Sequence, residues 1–312
     1  MSLLSEFRNP TRWYSQLIAA ILALAFFALL ATGTISGFLV YRILSPAHSR
    51  AEINLENFPG HPGVLTFNVP GVGSREGWFF PGLRSAPTIL LCHGYQSNRG
   101  ELLTLVTALQ DHQYNVFLFD FASHGSSSGL TTLGFRETRE LHAAIEAVAR
   151  RDDVDRSRFG LWGTNLGGYA VIAAAAADPR VRAFVADSVH NQPADMVRLQ
   201  VERSGLGALP FMERSAQLAF EWLNYSYRHE PPLSERLSRL SGVAKLYIQA
   251  ADDPVLAEST QELFVRSAEP REQVILPKGN YVGMLDEEKR RYENRIVSFF
   301  LLNLPPSGGA RR

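Results

Sequence analysis

The stretch LWGTNLGG, residues 161–168, constrains the fold more than any other part of the sequence. A short apolar strand runs into a turn that has glycines at both sides, and an alanine-rich helix follows. This is the layout of the strained strand-to-helix turn G-x-S-x-G. The central position here holds Asn165 instead of serine. Asparagine is enriched at the positive φ that this turn requires, and Gly163 and Gly167 allow a close approach of strand and helix, so the sequence predicts that the turn is kept.

Apolar strands alternate with helical segments from about residue 62 onward. The predicted strands cover 64–69, 76–82, 88–93, 115–120, 159–163, 183–188, 244–250 and 272–277, and a final amphipathic helix covers about 285–302. Most of these strands are apolar on both faces, which is typical of a sheet covered by helices on both sides. The sequence therefore predicts an α/β fold with a mostly parallel, doubly wound sheet.

The segment 189–242 interrupts this alternation with a helical stretch that is rich in aromatic residues. An insertion between two strands at this point is expected to form a lid over the carboxyl edge of the sheet, where open α/β sheets bind ligands. The alternative is that Phe220, Trp222 and Tyr225 only pack the inserted segment against the body of the domain.

The N-terminal region predicts a transmembrane helix over 13–44. Between Arg12 and Arg42 lie 29 residues without a formal charge. As a helix they reach about 43 Å, more than the roughly 30 Å hydrocarbon core of a bilayer. A cleaved signal peptide is the alternative, but its apolar region spans only about 7–15 residues. A slight excess of positive charge before the span favours a cytoplasmic N-terminus and a domain on the outer side.

Gly33 and Gly37 form a G-x-x-x-G pattern within this span, which allows two membrane helices to approach closely. The pattern can be read as a homodimer contact. The alternative is that it has no role in association, because glycine is common in membrane helices. The predicted organisation is a flank (1–12), the transmembrane helix (13–44), a linker (45–61), one large domain (62–304) and a disordered tail (305–312).

Composition excludes several classes of function. The formal net charge is zero, which argues against a dedicated nucleic-acid binder. The single cysteine, Cys92, excludes an intrachain disulfide and a cysteine-based zinc cluster. We find no spacing of carboxylates and histidines that predicts a metal site, and no cofactor is expected.

Several motifs in order resemble the α/β-hydrolase superfamily, specifically its serine aminopeptidase-like and bacterial esterase-like branch. They are LLCHGYQSNRGE, FDFASHGSSSG, TTLGFRETREL and VDRSRFGLWGTNLGGYAVIAAAAADPRVRAFVADS, and the likeness covers about residues 62–304. The resemblance implies an oxyanion hole formed by the backbone amides of Tyr95 and Leu166, close to His93, Gly94 and Thr164. These two amides would be expected to bind an acyl or carboxylate oxygen.

The triad that this resemblance implies is incomplete. The acid position falls on Asp253, with Asp252 adjacent, but the nucleophile position holds Asn165, whose carboxamide oxygen has no proton to give up. The histidine position falls on Asn280 or Tyr281. The eight histidines are residues 48, 61, 93, 112, 124, 142, 190 and 229, so none follows Asp253.

The sequence therefore predicts a membrane-anchored, catalytically inactive pseudo-hydrolase that acts as a binding or accessory subunit of a membrane complex. The alternative is an active serine-type esterase, lipase or peptidase with displaced catalytic residues. Ser188 and His190 are candidates for such a displaced pair, although side chains at i and i+2 in a loop rarely meet at hydrogen-bond distance. His93 and His124 match positions where the family keeps structural histidines.

Overall fold

An eight-stranded sheet organises residues 63–276, in the order β1-β2-β4-β3-β5-β6-β7-β8. The computed structural model of the chain describes residues 13–47, 55, 58, 62–279 and 281–306. Strand β2 is antiparallel to both of its neighbours, and all other neighbouring strands are parallel. The strands are β1 (Gly63–Val69), β2 (Gly73–Phe80), β3 (Ala86–Cys92), β4 (Asn115–Phe119), β5 (Val154–Thr164), β6 (Val181–Asp187), β7 (Ala244–Ala250) and β8 (Arg271–Leu276). The predicted α/β class and the mostly parallel sheet are confirmed.

Nine α-helices accompany these strands within the described residues. They are α1 (Trp13–Leu44), α2 (Leu103–Gln110), α3 (Phe135–Ala149), α4 (Leu166–Ala175), α5 (Pro193–Arg203), α6 (Pro210–Leu223), α7 (Leu233–Arg236), α8 (Pro254–Arg266) and α9 (Asp286–Asn303). Short 3-10 helices cover Arg99–Leu102, Tyr225–Tyr227, Leu237–Leu240 and Tyr281–Gly283. The predicted final helix, 285–302, corresponds to α9.

Strand β5 is longer than the sequence pattern predicted. It begins at Val154 instead of residue 159, because the polar residues before Phe159 also adopt an extended conformation. The side chain of Asp155 accepts hydrogen bonds from the hydroxyl of Ser157 and the guanidinium of Arg158, which satisfies these polar groups locally. The first residues of β5 are mostly polar, so an apolar pattern does not predict that they belong to a strand.

Two buried apolar clusters lie on the two faces of the sheet. One contains Leu141, Ile145 and Val148 of α3, the residues whose spacing predicted one helix face. The other contains Leu105 of α2 and Phe300 of α9. All seven residues of β3 are buried, as expected for a strand covered on both sides. The sheet therefore holds its strand ends in fixed positions, and these ends carry the candidate site.

The chain divides into two compact units. One comprises residues 1–43 and 197–225, and the other comprises 44–196 and 226–312. The sequence had assigned all of 189–242 to the large domain. The structure instead groups the middle of this segment with α1, and the hydroxyls of Ser36 in α1 and Ser215 in α6 lie 2.6 Å apart. This grouping depends on tertiary contacts that no local pattern encodes.

Helix α1 is continuous over 32 residues and matches the predicted span 13–44. It is long and apolar enough to cross a membrane, with a mean hydropathy of 2.4 in its most apolar window. Length and composition alone do not separate a single-pass anchor from a signal sequence. The predicted flank 1–12, most of the linker 45–61 and most of the tail 305–312 lie outside the described residues.

Candidate functional site

The predicted strand-to-helix turn is present at the carboxyl end of β5. Asn165 stands between β5 and α4 with φ 53° and ψ −112°. Its backbone N–H donates to the carbonyl of Asp187 at the end of β6, at 2.8 Å, and its carbonyl accepts from Tyr169 N–H at 3.0 Å. These bonds fix the strained residue between a strand end and the first turn of a helix, so the substitution of asparagine for serine leaves the turn intact.

The glycines around this turn are required by close backbone contacts. A Cβ atom on Gly167 would lie 2.3 Å from the carbonyl oxygen of Cys92, and one on Gly163 would lie 2.5 Å from the backbone of Gly167. A Cβ on Gly94 would lie 3.2 Å from Cγ2 of Thr164 and 3.7 Å from Cβ of Asn165. The loop after β3 and the turn after β5 are therefore adjacent, which is the arrangement that the predicted oxyanion hole needs.

One of the two predicted oxyanion-hole amides already has a partner. The N–H of Leu166 donates to Oδ1 of Asn165 at 2.8 Å. The side chain of Asn165 thus caps α4 and fills the donor that would otherwise face a substrate oxygen. An incoming acyl or carboxylate oxygen must displace this carboxamide before it reaches Leu166. Tyr95, which carries the second amide, is half-buried.

His93 is a structural residue. Its imidazole is fully buried; Nε2 accepts a hydrogen bond from the N–H of Phe121 at 3.0 Å, and Nδ1 lies 2.8 Å from the carbonyl oxygen of Gly94. Because Nε2 accepts, the proton resides on Nδ1 and is donated to that carbonyl. Burial also lowers the pKa of His93. Both ring nitrogens serve the loop, so the expectation that His93 contributes to ligand binding is corrected to a structural role.

The two aspartates after β7 have different partners. Oδ1 of Asp253 accepts from Leu256 N–H at 3.3 Å and so caps α8, a helix that begins with Pro254. Oδ1 of Asp252 accepts from Gly279 N–H at 2.8 Å. Asp252 therefore contacts the loop in which the family places its histidine, whereas Asp253, the residue predicted as the triad acid, stabilises a helix terminus.

Tyr281 belongs to the core. It is 1% exposed, its hydroxyl donates to Oε1 of Glu293 at 2.5 Å, and Oγ1 of Thr104 lies 2.8 Å from the same hydroxyl. Its ring packs against Trp162, with the centroids 5.6 Å apart. Tyr281 is thus an anchor between α9 and α2. Asn280, the other candidate for the histidine position, lies outside the described residues.

A buried carboxylate that the sequence analysis did not single out lies beside the turn. Asp187 ends β6 and accepts hydrogen bonds from the hydroxyl of Ser188 at 2.8 Å and from the hydroxyl of Tyr292 at 2.6 Å. Burial raises the pKa of Asp187 to about 6, although both hydrogen bonds oppose this effect. The signal available in the sequence was a charged residue that closes an otherwise apolar strand, in the segment AFVADS.

Ser188 and His190 are not paired with each other. The hydroxyl of Ser188 donates to Asp187, and Nε2 of His190 lies 2.8 Å from the carbonyl oxygen of Leu133, to which it donates. The imidazole of His190 stacks on Tyr169 at 5.1 Å, and burial lowers the pKa of His190 to about 4. His190 is therefore neutral at physiological pH. The displaced Ser188–His190 pair considered from the sequence is not assembled in this structure.

A cavity of about 360 Å³ lies between the last two strands and α9. Apolar side chains, among them Ile248, Leu276 and Met284, form much of its lining. Lys278, Arg291 and Arg295 add cationic groups, and Glu288 adds one carboxylate. Tyr292, which donates to Asp187, also lines it. Arg291 already pairs with Glu287 and Arg295 with Glu272, so the apolar lining is the feature that suits an acyl chain.

Fold and site together define the class of protein: an α/β-hydrolase-fold protein in which asparagine, Asn165, occupies the strand-to-helix turn between β5 and α4, the elbow. A family model described as the α/β hydrolase fold matches residues 87–205, which include most of β3, the elbow and β6. This match supports the resemblance to the α/β-hydrolase superfamily, and the chain has the α/β-hydrolase fold.

Among curated proteins, the chain is similar to the uncharacterised protein YfhR of Escherichia coli K12. The two are 26% identical over 245 residues, which cover 75% of this chain and 79% of that protein. The uncharacterised protein Rv2307c of Mycobacterium tuberculosis is 26% identical over 207 residues, 64% of this chain and 66% of that protein.

Two solved structures show the same fold. The Pyrococcus furiosus esterase Pf2001 superposes with a TM-score of 0.67 at 19% identity, covering 85% of this chain and 99% of that one. The Pyrococcus horikoshii acylaminoacyl peptidase superposes with a TM-score of 0.57 at 15% identity, covering 80% of this chain and 43% of that one. At these identities the likeness concerns the fold alone.

Proposed function

We propose that the protein is a membrane-anchored pseudo-hydrolase that acts as a binding or accessory subunit of a membrane complex. The hydrogen bond from Leu166 N–H to Oδ1 of Asn165 carries this proposal. The same side chain that stands in the nucleophile position also fills one oxyanion donor. The turn is therefore stable without the two features that acyl transfer requires of it, a deprotonatable hydroxyl and an open donor.

Two described histidines near the site, His93 and His190, support the same proposal. His93 uses both ring nitrogens on backbone groups, and His190 donates to Leu133 and stacks on Tyr169. A general base needs to lie within hydrogen-bond reach of the proton that it removes. Each of these imidazoles is instead fixed within the fold.

The cavity beside α9 supports a role in binding an acyl or carboxylate ligand. Its apolar residues match an acyl chain, and Lys278 can pair with a carboxylate, whereas Arg291 and Arg295 already pair with Glu287 and Glu272. This location differs from the oxyanion hole predicted from the sequence. A contact between two copies through Gly33 and Gly37 stays a prediction; the surface of α1 is open there, since no atom lies within 4 Å of a Cβ built on either glycine.

The test is to restore the two missing groups with Asn165→Ser and Asn280→His. Tyr281 is a core residue, so position 280 is the one at which the histidine is restored, next to the Gly279 that contacts Asp252. We expect the wild-type chain and Asn165→Ser alone to leave p-nitrophenyl esters intact, and the double variant to hydrolyse them. Asn165→Ala with Asn280→His is the matched control. Ester turnover by the wild-type chain would overturn the proposal.

An active hydrolase is the second candidate, and the Ser188–Asp187 hydrogen bond is the observation that favours it. Ser188 has a positive φ of 51°, as Asn165 has, and its hydroxyl already donates to a buried carboxylate. In this candidate Asp187 accepts the hydroxyl proton, and activity therefore rises as the pH passes through about 6, the raised pKa of Asp187. Fluorophosphonate labelling that Ser188→Ala abolishes would support this candidate; absence of labelling supports the pseudo-hydrolase.

A further inference from the structure

We propose that helix α6 lies at the membrane surface and inserts a stripe of three side chains, Phe211, Leu218 and Trp222, into the lipid interface. This inference rests on the part of the proposed function in which α1 spans a bilayer. It adds a second membrane contact that the predicted lid did not include.

The stripe is apolar, exposed and aligned. Phe211 is 54% exposed, Leu218 51% and Trp222 77%. At about 100° per residue, positions i, i+7 and i+11 fall within about 40° of one another on a helix. The opposite side of α6 carries Met212 and Phe220, which are buried. Helix α6 is thus apolar on both sides, and one of these sides is not covered by the described part of the chain.

Helix α6 contacts α1 next to this stripe. The hydroxyl of Ser215 lies 2.6 Å from the hydroxyl of Ser36. Ser215 is four residues after Phe211 and three before Leu218, so it shares their side of the helix. The exposed stripe therefore borders the contact with α1 and continues the apolar surface of that helix.

The position of Ser36 sets the depth of this contact. From residue 14 to residue 35 no side chain of α1 is buried, and Ser36, at 1% exposure, is the first that is. An exposed segment of this length measures about 33 Å at about 1.5 Å per residue, close to the roughly 30 Å of the hydrocarbon core. The contact between α1 and α6 therefore falls where the helix leaves the hydrocarbon.

The chemistry of the stripe suits that depth. Tryptophan favours the interface because its indole joins a large apolar surface to a polar N–H. Exposed charged residues, Arg214 and Glu221, lie beside the stripe on α6 and can remain in the headgroup region. A helix with an apolar stripe flanked by charges lies in the plane of the interface, with the stripe directed toward the acyl chains. A lipid surface is therefore the occupant that matches both depth and composition.

Tryptophan fluorescence of the full-length chain tests this inference. The sequence has four tryptophans, and Trp78 and Trp162 are buried. We compare the single variant Trp13→Phe with the double variant Trp13→Phe, Trp222→Phe. The difference between their emission spectra is the emission of Trp222. We place one copy per nanodisc and expect lipids brominated near the headgroup to quench at least half of this emission, more than lipids brominated at the chain end, while aqueous iodide quenches little.

The controls separate failure of this inference from failure of anchoring. Trp222→Phe with Trp13 retained is expected to keep lipid quenching, because tryptophan at the start of the predicted span favours the membrane interface. If a carbonate wash releases the chain from membranes, the anchor itself is refuted. If the chain stays embedded but iodide quenches Trp222 and brominated lipid does not, only this inference is overturned. Shielding of Trp222 that appears only at many copies per vesicle would assign the stripe to a second copy and equally overturn it.

Discussion

Asn165 satisfies two requirements of the elbow with one side chain. It adopts φ 53°, a region in which asparagine is enriched, and its Oδ1 accepts the N–H of Leu166. Serine is a comparable helix-capping residue, but it is not among the residues that are enriched at positive φ. The residue that removes the nucleophile therefore also stabilises the turn.

Replacing Asn165 with alanine or with glycine separates these two contributions. Asn165→Ala loses both the cap and the tolerance of positive φ, and we expect it to lower the free energy of unfolding by about 1–2 kcal/mol. Asn165→Gly keeps the backbone conformation, and we expect it to lower the free energy of unfolding by only a few tenths of a kcal/mol. Urea unfolding in detergent measures both. Equal losses would show that the cap alone, and not the backbone conformation, determines the effect.

Asp187 gives the protein a stability that depends on pH. Burial raises the pKa of Asp187 to about 6 from an ordinary value of 3.8, so the folded chain holds its proton more tightly than the unfolded chain does. The stability that Asp187 contributes is therefore present below about pH 4 and is lost as the pH rises toward 6. A shift of this size corresponds to about 3 kcal/mol.

We expect the difference in unfolding free energy between wild type and Asp187→Asn to decline across this pH range. Asparagine has a similar shape and does not titrate, so the difference isolates Asp187 from the other carboxylates. Thermal melts from pH 4 to pH 7 measure it. A difference that stays constant with pH would mean that the pKa of Asp187 is the same in the folded and the unfolded chain.

Residues that local rules govern were predictable from the sequence, whereas residues that tertiary contacts define were not. Asn165 and the glycines beside it were predicted from turn chemistry, and the structure confirms their positions. Asp187 and Tyr292 meet only because β6 and α9 pack together, about a hundred positions apart in the chain. The partner of Tyr281, Glu293, was missed for the same reason.

At the scale of elements, the contact between β3, β5 and α4 depends on glycine. The backbone carbonyls of Cys92 and His93 lie 2.3 Å and 2.6 Å from a Cβ built on Gly167. Both are strand-end backbone atoms, which cannot move as the end of a flexible side chain can. The elbow therefore tolerates no side chain at this position without displacing β3.

We expect Gly167→Ala to abolish folding or to cost several kcal/mol, since the strand and the helix must separate. Gly63→Ala is the matched control, because no atom lies within 4 Å of a Cβ built there. The yield of folded protein and the melting temperature report the outcome. A melting temperature for Gly167→Ala equal to that of the control would contradict the close approach described for the elbow.

Most strands and helices were predictable because their apolar runs are long and continuous. The start of β5 was not, since polar residues form it. The grouping of 197–225 with α1 was not predictable either. The amphipathic pattern of a helix shows which of its faces is buried, but it does not show which other element covers that face.

At the scale of the whole molecule, α1 is long and apolar enough to anchor the protein in a membrane. We expect the full-length chain to remain with membranes after a carbonate wash and to keep its N-terminal residues, because the apolar segment is longer than that of a signal peptide. Mass spectrometry of the membrane fraction checks the N-terminus. A mature chain that begins after residue 44 and is recovered in the soluble fraction would identify α1 as a signal sequence.

The hydrogen bond from Leu166 N–H to Oδ1 of Asn165 means that any ligand of this N–H must compete with a side chain of the protein itself. The carboxamide of Asn165 is held directly beside the N–H of Leu166, so its effective concentration there is far above that of any free ligand. The carbonyl oxygen of a neutral ester is no stronger a hydrogen-bond acceptor than the amide oxygen that it would have to replace. A carboxylate is a stronger acceptor, because hydrogen bonds to ionised acceptors are about twice as strong as those to neutral ones. We therefore expect the oxyanion site at the elbow to prefer carboxylates, which resemble the acid product of hydrolysis, over the esters that a hydrolase consumes.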